Sequence, residues 1–315
     1  MFDTRNVATT ELLANLDMLT KASLAPSSLK TYKRAWDKFN TFSVQMFGQI
    51  LSPPLTVATV SLFVAFLFQH KYAARTISTY LSAISYVHKM LSLPDPTQSF
   101  VIQKIVDGAH RLTPSVDTRL PITIDVLNKL LSSLDSVISS NYDLKCFKAL
   151  YLFAFSAFAR IGELIITDEN NLDTVIQLSD VNVQYINTKP EKIHVCFRSF
   201  KHNNGKNPKS ISFSHGDAIM SAVITLIDYL HVRISSSGPL FCRQNGQPLK
   251  RTLFDSILHK NISFCGLDSS KYKGHSFRLG AATYAAEKGL TDAQIRSMGR
   301  WNSNAFQKYI RPNYS

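Results

Sequence analysis

The chain has 315 residues, 45% of them hydrophobic and 18% charged, with four cysteines and a formal net charge of +13. That length gives a soft expectation of two domains, each able to bury its own core. The apolar runs at Val57–Phe68 and Leu150–Phe158 fall short of the ~20 residues a membrane-spanning helix needs. The N-terminus, MFDTRNVATTELL, lacks the basic-then-apolar order of a secretory leader. Cys146, Cys196, Cys242 and Cys265 are spaced 50, 46 and 23 residues apart with no CxxC, which disfavours a zinc ribbon, a thiol redox motif or a disulfide framework. The charge points elsewhere. Residues 1–112 carry 11 basic and 6 acidic side chains and the remainder 24 and 16, so both halves are positive. A chain basic along its whole length suits a polyanionic partner, although a generic solvating surface would look the same.

In chain order, residues 1–20 form an N-terminal arm with a short helical pattern. A helix is predicted to open at Ser27-Ser28, after Pro26, with Leu29, Tyr32, Trp36 and Phe39 along one stripe. Lys30, Lys33, Arg34 and Lys38 lie on its other faces. Pro53-Pro54 ends that unit; Thr56–His70 is a second helix, apolar almost all round. A third begins at Thr76 with Ile77, Leu81, Ile84 and His88 on one face, and Gln98–His110 is a fourth. These make a helical bundle over residues 21–112. Residues 113–122, rich in proline and polar groups, read as a linker, and a second domain runs from residue 123 to 315.

Thr123 is predicted to cap a helix over Ile124–Leu134, followed by one long helix, Leu144–Ile166, as the second core. Strand-like runs come next at Val175–Gln177, Ile193–Phe197 and Ser210–Phe213, the last two joined as a hairpin through a Lys/Asn/Gly-rich turn. Helices resume at Ala218–Arg233, Arg251–Cys265, Ser276–Glu287, Asp292–Met298 and Asn304–Ile310. The expected fold class is mainly α with one small antiparallel sheet.

Three segments carry chemistry. In Arg160-Ile161-Gly162-Glu163-Leu164 an arginine ends a very apolar stretch, with Glu163 one turn on to hold it. A structural ion pair between helices explains that segment equally well when it is taken alone. In Gly274-His275-Ser276-Phe277-Arg278, His275 and Arg278 face one way at a helix start, where free N–H groups already favour anions. An ordinary surface turn is the competing reading. In Gly299-Arg300-Trp301, followed by Tyr309 in Gln307-Lys308-Tyr309, a tyrosine near the C-terminus is ordinarily a packing residue.

Taken together the three resemble the tyrosine recombinase, or phage-integrase-type, superfamily. RIGEL is similar to its first box, with Arg160; HSFR to its second, with His275 and Arg278; and Arg300 stands nine residues before Tyr309, where most members carry histidine or tryptophan. The wording HSFRLGAATYAAEKG and GRWNSNAFQKYI is closer to eukaryotic mobile-element recombinases of the Crypton and DIRS/Ngaro kind. The resemblance implies a SAM-like core-binding domain ahead of an α+β catalytic domain. It implies Tyr309 as nucleophile, Arg160 and Arg278 on the phosphate, His275 as proton acceptor or positioning group, and Arg300 as a third clamp with Trp301 packing beneath. The family's lysine sits in the hairpin turn, which makes Lys201 the catalytic lysine and Lys206 the runner-up, a DNA contact with Lys30, Lys33, Arg34 and Arg75. No cofactor is implied. The expected partners are double-stranded DNA and further copies of the chain, and a eukaryotic mobile-element enzyme would work in the nucleus. Only six residues follow Tyr309, so tethering between copies through a C-terminal helix is not expected. The competing function is a domesticated DNA-binding protein that keeps the fold without the reaction, and a type IB topoisomerase would share the chemistry.

Overall fold

The computed structural model describes residues 4–114, 117–167, 169–200, 207–214 and 221–311. It divides into two compact units, Met1–Asp117 and Thr118–Ser315.

The first unit is all helical: α1 (Thr4–Ala22), α2 (Pro26–Phe47), α3 (Val57–Gln69), α4 (Ala74–Met90) and α5 (Phe100–Leu112). Pro26 takes the first position of α2, where its missing N–H is not needed, and Ala25 is the capping residue in place of the expected serines. Thr56 caps α3 through the Thr59 N–H at 3.1 Å, and Ser99 caps α5 through the Ile102 N–H at 3.3 Å. Helix α4 opens at Ala74, capped by Ala73, so Thr76 lies inside it instead of starting it. The core is aromatic: Phe39, Phe42 and Phe63 meet at centroid distances of 5.2–5.8 Å. Leu29, expected on the buried stripe of α2, is exposed; the buried face is Ala35, Phe39 and Phe42. His88 is the polar member of this core. Its Nε2 accepts the Leu55 N–H at 2.9 Å while Nδ1 donates to the Ile84 carbonyl at 2.8 Å, which fixes a neutral ring and ties α4 to the Pro53-Pro54 loop.

The second unit holds α6 (Ile124–Ser133), α7 (Asn141–Ser156), the single turn α8 (Ile161–Leu164), strands β1 (Val181–Ile186), β2 (Lys189–Phe197) and β3 (Lys209–Ser214), then α9 (Ala222–Val232), α10 (Arg251–Phe264), α11 (Gly274–Glu287) and α12 (Asp292–Met298), ending in a 3₁₀ turn over Asn304–Tyr309. The sheet is antiparallel in the order β1-β2-β3, with Val195 opposite both Val181 and Ile211. Ile193, Val195 and Phe197 alternate along β2 into the core, the period-2 pattern of a half-buried strand. Strand β1 was not anticipated, and Val175–Gln177 makes only an isolated bridge, Gln177 to Pro239. The final segment is tighter than the α-helix expected over Asn304–Ile310.

Two features of this unit position the site. Helix α7 is buried on all sides, with Leu150, Tyr151, Leu152, Phe153 and Ala154 each at most 1% exposed. The long helix expected over Leu144–Ile166 does not exist, because the chain breaks after Ser156. Phe158 adopts a left-handed backbone (φ 48°), and Arg160 is extended before α8 begins. No glycine or proline announces that break. What it does is leave the last carbonyls of α7 without helical partners, free to accept from elsewhere. The second feature is close packing around α11. A Cβ at Gly280 would stand 1.8 Å from the Ile122 carbonyl oxygen, so only glycine lets α11 lie against Ile122, whose N–H donates to the Ser276 carbonyl at 3.0 Å.

Candidate active site

The break after α7 is filled by two arginines arriving from far along the chain. Arg278 is fully buried on the first turns of α11, and its guanidinium donates to the Phe158 carbonyl and to the Gly299 carbonyl at the end of α12. Arg300 is 2% exposed and donates through Nη1 to the Ala157 carbonyl at 3.0 Å and the Met298 carbonyl at 3.4 Å. Its Nη2 reaches the Phe158 carbonyl at 3.4 Å and Glu163 Oε2 at 2.7 Å. Both cations therefore sit at the C-termini of α7 and α12, where unpaired carbonyls and the negative dipole ends favour positive charge. Burial pushes the pKa of Arg278 down, and the neighbouring Arg160 charge adds to this, to about 9; at neutral pH it remains a cation. Burial lowers Arg300 as well, against the opposing pull of Glu163.

Glu163 is the hub. Its Oε1 accepts Arg160 Nη1 at 2.8 Å, and Oε2 accepts both the Arg160 backbone N–H at 2.9 Å and Arg300 Nη2 at 2.7 Å. A carboxylate so fully engaged holds Arg160 from two sides, at its backbone and at its guanidinium. The Arg160 side chain keeps 23% of its surface open while that of Arg300 keeps none. Three guanidiniums face one carboxylate here, leaving a surplus of positive charge for an anion.

Tyr309 lies over this cluster. Its ring centroid is 4.9 Å from that of His275 and 5.1 Å from that of Trp301. The Arg278 guanidinium carbon is 5.9 Å from the Tyr309 ring centre and 4.1 Å from that of Trp301. Tyr309, His275, Arg278 and Arg160 with Glu163 are thus assembled in one place, from positions spread across 150 residues of sequence. Trp301 packs against Phe306 and Tyr309 of the turn that carries the tyrosine, at 6.0 and 5.1 Å between ring centroids, and also covers the Arg278 guanidinium as a cation–π partner. A Cβ at Gly299 would fall 1.5 Å from the Trp301 ring, so glycine is what admits this stack.

Arg300 is the correction. Expected as a third clamp on phosphate, it is turned inward, with 0% of its side chain accessible and its guanidinium carbon 3.6 Å from the centre of the Phe197 ring. The reason is steric and electrostatic: the chain enters the left-handed region at Arg300 (φ 55°), which aims the side chain back at the carbonyls of α7. Lys201 and Lys206 lie outside the described residues. Lys30, Lys33 and Arg34 on α2 and Arg75 on α4 are exposed on the first unit.

One residue was missed. Thr283, 3% exposed on α11, donates its hydroxyl to the Tyr309 carbonyl at 3.3 Å and accepts the Arg311 N–H at 3.1 Å. It pins the backbone on both sides of the tyrosine. Its place in the apolar run Gly280-Ala281-Ala282-Thr283 gave it the look of a core residue.

Residues 122–315 match the model of the phage integrase family. Among curated proteins none matches the chain by sequence. Among solved structures, lambda integrase bound as a dimer to a COC′ core site aligns with a TM-score of 0.63 at 14% identity, over 97% of this chain and 96% of that one. XerH site-specific recombinase in a post-cleavage complex with palindromic difH substrate gives 0.61 at 16%, over 89% and 74%. The Tn1549 transposon integrase with circular intermediate DNA gives 0.59 at 13%, over 95% and 94%. At these identities the structural likeness establishes the shared fold, and the family match covers well over half the residues. The chain belongs to the phage integrase family.

Proposed function

We propose that this protein cleaves and rejoins double-stranded DNA through a covalent phosphotyrosine. The observation that carries the reading is the placement of the Tyr309 ring against His275, at 4.9 Å, beside the guanidinium of Arg278 and the Glu163-held Arg160.

The chemistry follows from these groups. A phosphodiester is anionic and repels nucleophiles. Arg160, with 23% of its side chain exposed, offers N–H donors to that charge, and the buried Arg278 adds positive charge beside the Tyr309 ring; both favour the more negative five-coordinate phosphorus. The Tyr309 hydroxyl attacks phosphorus as His275 accepts its proton. A phosphorus–oxygen bond forms to Tyr309 and the bond to the 5′ oxygen breaks. The departing oxygen takes a proton, for which Lys201 is the proposed donor. The product is a 3′-phosphotyrosine with a free 5′ hydroxyl. The new diester keeps the energy of the old one, so attack by a 5′ hydroxyl restores the backbone without an external energy source. Cationic side chains supply the charge stabilisation, and no step calls on a metal or cofactor. The exposed Lys30, Lys33, Arg34 and Arg75 are proposed to contact DNA phosphates, where each neutralised phosphate releases counterions.

We further propose that the DNA is a mobile element's own junction, that several copies act together on it, and that the enzyme works in a nucleus. The wording of the two C-terminal segments, close to Crypton and DIRS/Ngaro recombinases, supports this. Short repeats flanking the gene would bear it out; their absence would remove the support. The reaction is tested with nicked duplexes in which release of a short 5′ fragment traps the intermediate. The wild-type protein is expected to become covalently linked to DNA, and Tyr309→Phe to bind DNA equally but form no adduct. A covalent adduct with the phenylalanine variant would displace Tyr309 as the nucleophile.

A further inference from the structure

We infer that Arg300 is a positioning residue that acts through Glu163 and the Phe158 carbonyl to hold both phosphate-facing arginines, without touching DNA itself. The inference rests on the proposed strand-cleavage reading and adds to it a residue with an indirect role.

Three observations carry it. First, every acceptor that Arg300 reaches is internal: the carbonyls of Ala157, Phe158 and Met298 and the carboxylate of Glu163, with the guanidinium flat against Phe197. Arg278 is equally buried, but its guanidinium lies 5.9 Å from the Tyr309 ring centre, whereas that of Arg300 lies against Phe197 and pairs with Glu163. Second, two of those acceptors are shared. Glu163 Oε2 binds Arg300 and the Arg160 backbone at once, and the Phe158 carbonyl binds Arg300 and Arg278 at once. Arg300 is therefore one bond away from each of the two arginines assigned to the phosphate. Third, both ends of the connection use uncommon backbone, with Phe158 and Arg300 in the left-handed region at φ 48° and 55°. Non-glycine residues adopt that conformation when surrounding contacts hold them there. The buried arginine supplies such contacts by tying the end of α7 to the end of α12.

The chemistry explains why a cation is needed. Glu163 is 5% exposed, and its carboxylate holds Arg160. Arg160 alone leaves that carboxylate with one partly exposed counter-charge, whereas Arg300 supplies a second that is fully enclosed. Lysine would keep the charge but would lose the planar fork that reaches carboxylate and carbonyls together. If Arg300 relaxes, Glu163 turns, and Arg160 loses both of its anchors.

The test uses the full-length protein with Arg300→Lys, Arg300→Gln, Glu163→Gln and the Arg300→Gln/Glu163→Gln double variant. The probe is a pool of nicked duplexes with a randomised core. Retention of the pool is titrated in NaCl, and adduct formation is followed by denaturing electrophoresis. A positioning role predicts wild-type retention and an unchanged salt slope for Arg300→Lys, with adduct formation slowed about tenfold or more. It also predicts that the double variant is no slower than the worse single one, because the two side chains act as one unit. A salt slope reduced by about one for Arg300→Lys or Arg300→Gln would mean direct phosphate contact and would overturn the inference. So would an unchanged adduct rate, or losses that add. Should the wild-type protein form no adduct, the strand-cleavage reading fails. The inference is then judged on urea unfolding midpoints alone: a double variant no less stable than the worse single one supports the shared unit, and additive losses refute it.

Discussion

The two units bury polar groups for different ends. In the first, the core is hydrocarbon and aromatic, and its polar members, Ser43, Ser85 and His88, are uncharged and small in number. In the second, Glu163, Arg278 and Arg300 are buried together, and each is bonded to backbone or to another of the three. Burying charge costs free energy that paired hydrogen bonds only partly return, so a core built for stability alone has little reason to include it. The second unit also buries structural charges, Arg233 on the Leu240, Ser237 and Pro239 carbonyls and Asp180 beside Arg198, so the difference lies in the Glu163, Arg278 and Arg300 cluster. Substitutions in that cluster should change the reaction more than DNA affinity, and those in the first unit's buried polar groups should change stability and leave the chemical step alone.

The sharpest way to break that distinction is Arg160→Lys. The charge and the backbone bond to Glu163 remain, but a lysine cannot present two parallel donors to a phosphate. Adduct formation should fall about 10²-fold, in line with the loss of one charge-stabilising donor, while retention of DNA stays within about twofold. A near-normal rate would remove Arg160 from the reacting centre and weaken the claim that the second unit's charges serve chemistry.

How much of this was legible beforehand follows the same division. The helices of the first unit follow from apolar periodicity and caps, since Thr56 and the stripe of α4 record local physics. Tyr309, His275, Arg278, Arg160 and Glu163 were found because they sit in segments that resemble known boxes, and the structure places them together. Two things were not legible. The break after Ser156 carries no turn residue; arginines 120 and more positions away bind the freed carbonyls. The inward turn of Arg300 depends on a left-handed backbone angle that its residue type does not announce. Both are tertiary effects overriding a local pattern. Strand β1 differs: Val181, Val183 and Tyr185 alternate with Asn182 and Gln184, so a period-2 signal was present and went unread.

A smaller effect sharpens the comparison from within the second unit. Thr283→Val keeps the shape of the side chain and removes the hydroxyl that pins the backbone at Tyr309 and Arg311. One lost hydrogen bond of this kind is worth about 1 kcal/mol, which corresponds to roughly a fivefold change in a rate that depends on it. Adduct formation should slow by about that factor under conditions where the protein stays folded, with DNA retention close to that of the wild type. An unchanged adduct rate beside a lowered unfolding midpoint would make Thr283 an ordinary core residue.

The counterpart in the first unit is Asp95, which should move stability and nothing else. Its carboxylate accepts from Ser85 Oγ at 2.6 Å, Thr97 Oγ1 at 2.7 Å and the Thr97 N–H at 3.0 Å, joining α4 to the turn before α5. Burial pushes the Asp95 pKa up, but these bonds outweigh it and hold the group below its ordinary 3.8. A carboxyl depressed in the folded state contributes stability in full above its unfolded pKa and loses it as pH falls through the folded value. Asp95→Asn should therefore lower the stability of the first unit by about 1 kcal/mol at pH 7, and the gap from wild type should close below about pH 4 as the wild-type carboxyl protonates. The adduct rate at a DNA concentration well above saturation should not change, because Asp95 is bonded within the first unit, to Ser85, Thr97, Gln98 and Lys89. Urea unfolding at pH 7 and pH 3.5, run beside the adduct assay, measures both. A slowed chemical step with undiminished stability would show that the first unit, too, places groups for the reaction.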